Sequence, residues 1–266
     1  MSQPHPVDAW PVAVFAHNEA EHIAVCLDSL TAAADGHPII CYVLANACTD
    51  ATEPVVQRYA AEHSNIQLVS ITLGDKANAW NVYVHEVAPQ AEVHFFIDGD
   101  VSACPGALPA LNAALTRHPQ ANAASALPES GRSVVRTRRA MLEGREIAGN
   151  LYALSGRFVD RVRHAHIRMP IGFIGEDSLI GALAKWDLDP NDAWKDERIV
   201  PCANAGFAFE SVSPFDLADW KLYWNRRIRY SIRGYQIKML RTVLKQAGVA
   251  GMPKHINELY ANNAAS

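Results

Sequence analysis

His94-Phe95-Phe96-Ile97-Asp98-Gly99-Asp100 is the stretch on which the reading of this chain turns. An apolar run closed by Asp-Gly-Asp predicts a buried strand of an α/β sheet over 93–97, with two carboxylates at its carboxyl end. Open α/β sheets bind ligands just beyond the carboxyl ends of their strands. Two acids one residue apart suit a hard divalent cation, which prefers oxygen ligands and commonly joins a protein carboxylate to substrate phosphates. The same triplet also suits an ordinary turn after a strand. Its meaning therefore depends on the surrounding chain.

Upstream, the pattern predicts strands over 12–16, 39–44 and 66–71, and helices over 19–33, from a Thr49 or Asp50 cap towards Glu62, and over 76–86. Downstream, a helix opens at Pro105, where proline suits the first turn, and a strand follows over 121–126. Such alternation argues for an α/β fold with a mainly parallel central sheet flanked by helices on both faces. Beyond Pro128 come a basic helical segment with Arg132, Arg136, Arg138 and Arg139, an apolar run over 151–154, and a second basic run over 161–168. Gly175-Glu176-Asp177 precedes an amphipathic helix over 178–186, so the two acids stand at its N-terminus. Short strands over 198–202 and 205–209 lead to a long helix over 214–246.

The 266 residues are 49% hydrophobic and 20% charged, which suits one large domain or two fused halves. No apolar run approaches the roughly 18 residues of a membrane span, and Met1-Ser2-Gln3-Pro4-His5-Pro6 does not resemble a signal peptide, so a cytoplasmic protein is expected. Five scattered cysteines without a CxxC pair suggest neither a disulfide framework nor a zinc site. The net charge of −4 is unevenly spread: residues 211–266 hold nine Lys or Arg against three acids, and the rest fifteen against twenty-five. A cationic tail carrying Trp220 and Trp224 suits phosphates, the protein's own acidic body, or peripheral contact with an anionic membrane at its inner face. Nucleic acid is not among the expected partners.

Five segments in order carry a resemblance: Val12-Ala13-Val14-Phe15-Ala16-His17-Asn18-Glu19, Leu44-Ala45-Asn46-Ala47-Cys48-Thr49-Asp50-Ala51-Thr52, Gly74-Asp75-Lys76-Ala77-Asn78-Ala79-Trp80-Asn81, Asp98-Gly99-Asp100 and Glu176-Asp177. They resemble the family 2 glycosyltransferases of the GT-A fold. That resemblance implies a Rossmann-like nucleotide-sugar half over 1–125, an acceptor half over 126–212 and a basic helical C-terminal segment over 213–266. It implies inverting, metal-dependent transfer of one sugar from a nucleoside-diphosphate sugar to a lipid-linked, saccharide or small-molecule hydroxyl. Asp100 would bind Mn2+ or Mg2+, Asp98 would assist the metal or contact the ribose, and Asn18, Glu19 and Lys76 would line the nucleotide pocket. Asp177, ahead of Glu176, would be the base that takes the acceptor's proton. Arg226-Arg227-Ile228-Arg229-Tyr230 resembles the family's Gln-x-x-Arg-Trp element, which offers Arg226 and Arg229 to the diphosphate.

These residue types answer the chemistry. A diphosphate leaving group develops charge that a cation must neutralise, and an attacking hydroxyl needs a positioned carboxylate to remove its proton. The chain departs from the family at Ala45-Asn46, where an acidic pair usually stands and its first acid reads the nucleobase. Asn46 or Asp50 would have to serve instead, which leaves UDP, GDP and dTDP sugars all open. His164, His166 and His255 are the histidines available to complete a metal site. Two rivals are a sugar nucleotidylyltransferase and a sugar-nucleotide-binding scaffold. The first needs a glycine-rich loop after the first strand, which Phe15-Ala16-His17-Asn18-Glu19 lacks; the second has Ala45 as its argument.

Overall fold

The computed structural model describes residues 9–131, 134–209 and 217–264, with side chains described except over 217–230 and 262–264. Eight strands form one sheet: β1 Trp10–Ala16, β2 Ile39–Asn46, β3 Ile66–Ile71, β4 Val93–Asp98, β5 Val101–Ala103, β6 Ala123–Pro128, β7 Leu151–Ser155 and β8 Ile199–Phe209, in the order β3-β2-β1-β4-β7-β6-β8-β5. The helices are α1 Ile23–Ala33, α2 Thr52–Glu62, α3 Lys76–Val82, α4 Ala107–Arg117, α5 Val134–Gly144, α6 Gly156–His164, α7 Glu176–Lys185, α8 Leu217–Ala247 and α9 Asn257–Ala264.

The first four strands are parallel neighbours, as the βαβ pattern predicts. Of these, β1, β2 and β4 read as near-continuous apolar runs because both of their faces are covered, whereas β3, at the sheet edge, is only partly buried. On β1, Val12, Val14 and Ala16 pack on the side of α1 and α4, while Ala13 and Phe15 face α3, α6 and α7. On β4, Phe95 and Ile97 share the first side and Phe96 lies on the second. The described end of α8 joins the second side through Met239, Leu240 and Leu244.

Several features differ from the sequence reading. β7 enters antiparallel between β4 and β6, so the sheet is mixed. The first helix begins only at Ile23, because Asn18 takes a left-handed φ of 58° and residues 19–22 turn. Ala51, not Thr49 or Asp50, is the N-cap of α2, but the Asp50 carboxylate still accepts from Thr52 N at 2.9 Å. The helix expected over 76–86 is α-helical to Val82 and then widens into a π-turn over Tyr83–Val87; the carbonyls of Val84 within it and of Ala88, its C-cap, accept from Arg163. The two short strands expected near 200 are one strand, β8, which follows β6 in parallel past a register shift between Ser125 and Leu127.

Candidate active site

Asp98 ends β4 beside Phe15 of β1, and the turn that follows needs glycine. Gly99 N donates to Phe15 O at 2.8 Å, and a Cβ at residue 99 would lie 3.1 Å from that oxygen and 3.3 Å from both Ala16 Cβ and Ile23 Cδ1. Tight apposition to β1 thus sets the turn that presents the two acids. Asp98 N donates to Asn150 O at 3.1 Å, which brings the loop before β7 to the same place.

Lys76 reaches this turn from the start of α3. Asp75 caps that helix: Oδ1 accepts from Asn78 N at 2.7 Å, and Oδ2 accepts from Gly172 N at 2.8 Å. Lys76 Nζ lies 2.5 Å from Asp98 Oδ1 and 3.0 Å from Glu176 Oε1, the latter on the first turn of α7. Burial works against the Lys76 ammonium, but the two carboxylates together outweigh it and hold its pKa above the ordinary lysine range. Glu176 is held low: Lys76 and hydrogen bonds from backbone amides overcome the opposing effect of burial. Asp98 is raised to about 6, by burial first and with added repulsion from Asp100 and Glu176, against the pull of Lys76.

Two cavities meet at Lys76, Asp98 and Asp100. One, of about 440 Å³, is lined further by Phe15, Ala16, His17, Glu19, Asn46 and Gly74. The other, of about 390 Å³, is lined further by Gly149, Asn150, Ile174, Gly175, Glu176, Asp177, Phe209 and Arg233. Glu19 is pushed up to about 7 by burial and then by the charge of Asp100, with His22 opposing.

The structure brings together Glu19, Asn46, Lys76, Asp98, Asp100, Glu176 and Asp177 from the residues the sequence singles out. Asn46 is buried, and its Oδ1 accepts from Asp75 N at 2.9 Å, so its amide holds the cap of α3. Asn18 and Asp50 line neither cavity. Asn18 Oδ1 accepts from Thr49 N at 2.7 Å, and Asp50 Oδ2 accepts from Ala20 N at 3.0 Å, so each ties the loop after β1 to the loop after β2. His164, His166 and His255 also line neither cavity. The side chains of Arg226, Arg229, Trp220 and Trp224 lie outside the described residues.

Sequence reasoning missed Asp75, Gly149, Asn150, Phe209 and Arg233. Arg233 Nη2 lies 2.9 Å from Asp177 Oδ1, and Arg233 also donates to Ser178 Oγ. Burial raises the Asp177 carboxyl, aided by Glu176 and opposed by Arg233. A signal for Arg233 was present in its position four residues beyond Arg229, but nothing in the sequence sets it apart from its basic neighbours.

The site has the oxygen donors a hard divalent ion requires. Among the described residues nothing donates to Asp100, whose charge raises both Glu19 and Asp98. No three His, Cys, Asp or Glu among the described residues form a metal cage. One or two carboxylates without a cage suit Mg2+ or Mn2+ completed by water and substrate phosphate.

Parallel strands thus end in one acidic pair, and a second acidic pair at the start of α7 is brought against it through Lys76. Residues 12–174 match Glycosyl transferase family 2, and the chain belongs to that family of glycosyltransferases. Its fold is the GT-A fold. A mannosyltransferase from Pyrobaculum calidifontis, solved with GDP-Man and Mn2+, superposes with a TM-score of 0.64 at 19% identity, over 99% of this chain and 78% of that one. TarS 1-349 from S. aureus gives 0.56 at 15% identity, over 94% and 83%. Glucosyl-3-phosphoglycerate synthase from Mycobacterium tuberculosis, solved with Mn2+, UDP and glucosyl-3-phosphoglycerate, gives 0.54 at 22% identity, over 77% and 73%. No curated protein sequence matches the chain. Among the described residues no helix is long and apolar enough to cross a membrane.

Proposed function

We propose that this enzyme transfers one sugar, with inversion, from a nucleoside-diphosphate sugar in the 440 Å³ cavity to an acceptor hydroxyl in the 390 Å³ cavity. One observation carries the reading: the cavities share Lys76, Asp98 and Asp100, and Asp177 stands in the second cavity only. Asp100, with Asp98 beside it, would hold Mn2+ or Mg2+, which when bound supplies Lewis-acid neutralisation of the diphosphate. Glu19, His17 and the loops tied by Asn18, Asn46 and Asp50 shape the nucleotide end. Ala45 is fully buried and Asn46 is occupied by Asp75, so no carboxylate of β2 reads the base. This supports leaving guanosine, uridine and thymidine donors equal.

Asp177 rather than Glu176 serves as base in this reading. A general base works best when its pKa is drawn towards the working pH, and Asp177 is raised while Glu176 is lowered and engaged by Lys76. The acceptor oxygen forms a bond to the anomeric carbon as the carbon–oxygen bond to the diphosphate breaks. The electron pair of that bond leaves with the nucleoside diphosphate, and the acceptor proton passes to Asp177. Calorimetric titration with UDP, GDP and dTDP, with and without Mn2+, tests the donor half. We expect Mn2+-dependent binding of one nucleotide, weakened at least about tenfold in Asp100→Ala. Binding that is equal in the variant, or no binding to any of the three, would overturn the assignment.

A further inference from the structure

The Asp177 carboxylate is anchored at one oxygen and open at the other. Oδ1 accepts from Ser178 N at 2.7 Å and faces Arg233 Nη2 at 2.9 Å. Among the described residues nothing donates to Oδ2. It lies beside Gly149 in the wall of the 390 Å³ cavity, where a Cβ on residue 149 would come within 3.4 Å of it.

We propose that Arg233 is a positioning residue for the transfer: it pins Asp177 through Oδ1, so that Oδ2 is the oxygen presented to the acceptor hydroxyl. The inference rests on Asp177 being the base. Its grounds are geometric. Gly175 has a φ of +116°, and a Cβ there would come within 3.0 Å of Arg233 Cγ and Nε, so the absent side chain is what lets the arginine lie across the loop. Arg233 also donates to Ser178 Oγ, and it thus grips the first turn of α7 at two points. Three residues along α8, Gln236 is buried. It accepts from Ile174 N at 2.7 Å and donates to Gly172 O at 3.3 Å and Tyr260 Oη at 2.7 Å. One face of α8 therefore holds the loop that carries Asp177 from both ends. Both residues lie beyond residues 12–174, the segment that matches the family.

The charged groups facing Asp177 are Arg233 from α8, Glu176 on its own helix and Lys76 from α3, with Asp98 and Asp100 lining the same cavity. Arg233 is the nearest cation among these, and its loss should loosen the carboxylate and weaken its hold on a negative charge.

Carbon-13 NMR of aspartate-labelled protein, with the Asp177 carboxyl identified by its disappearance in Asp177→Asn, tests this directly. In Arg233→Gln the Asp177 titration should move up by about one pH unit, and Arg233→Lys should restore most of the difference. Hydrolysis of GDP-mannose or UDP-glucose with Mn2+ should show the acid limb of kcat moving by the same amount, with donor KM unchanged. Thermal unfolding of each variant separates this from loss of fold, and Arg233→Met, which keeps the length of the side chain but removes its charge, carries the test if Arg233→Gln does not fold. An unmoved titration overturns the inference, whether or not either donor is hydrolysed. An unmoved acid limb with Asp177→Asn inactive overturns it while leaving Asp177 as base. Full activity in Asp177→Asn overturns the base assignment itself, and the inference with it.

Discussion

Lys76 stands between two carboxylates from different parts of the chain, and its removal would leave them facing each other. Breaking a fully buried ion pair costs about 3–5 kcal/mol, because a charge is stranded without its partner. The Lys76 side chain is 30% exposed, with Asp98 at 22% and Glu176 at 17%, so water recovers part of that loss. Lys76→Met should lower unfolding stability by about 2–3 kcal/mol in urea titrations at neutral pH. An unchanged midpoint would mean that the lysine does not balance the two acids. Its place near the nucleotide is what the family resemblance of the 74–81 stretch implies. Its engagement with Glu176 is not, because one hundred residues separate them and only the docking of α7 closes that distance.

Element junctions position the site, and glycines mark the closest of them. Gly156 opens α6 directly after β7, and its amide donates to Glu92 O at 2.7 Å. A Cβ there would stand 1.8 Å from Ala91 O, a backbone atom that cannot move without displacing the start of β4. Gly156→Ala should therefore destabilise the protein by about 3 kcal/mol or more. Gly181, within α7, meets nothing closer than Ile199 Cδ1 at 3.8 Å, and Gly181→Ala should stabilise by about 0.5–1 kcal/mol. Denaturant midpoints of the two variants check both signs. The elements themselves were largely legible, since β1, β2 and β4 are mostly apolar and bounded by polar turns. The π-turn over Tyr83–Val87 was not, because residues 76–86 retain helical spacing and the Val84 carbonyl accepts from Arg163 of α6, a partner distant in sequence.

At the scale of the whole molecule, acid stability should register a histidine that the fold keeps neutral. His94 is fully buried in β4, with Nδ1 3.1 Å from Tyr83 Oη and Nε2 without a partner among the described residues. Burial, with Arg163 adding repulsion, pushes its pKa down to about 3. The unfolded chain takes up this proton near pH 6.5, where the native state does not. Stability is therefore full above about pH 6.5 and declines as pH falls from there towards about 3, by up to roughly 1.4 kcal/mol per pH unit from this one group. Replacing both partners, as in Tyr83→Phe with His94→Phe, removes the titrating group without stranding a polar atom. Urea unfolding between pH 4.5 and 7 should show a shallower acid slope in the double variant, and an unaltered slope would refute the assignment. The alternation of strands and helices, the acids that end β4 and the acids that open α7 were determined by the sequence itself, because hydrophobic periodicity and turn chemistry act over a few residues. Tertiary structure alone decided that β7 enters antiparallel, that Lys76 joins Asp98 to Glu176, and that Arg233 pins Asp177. Each of those depends on strand register and helix docking between distant segments, which no local pattern encodes.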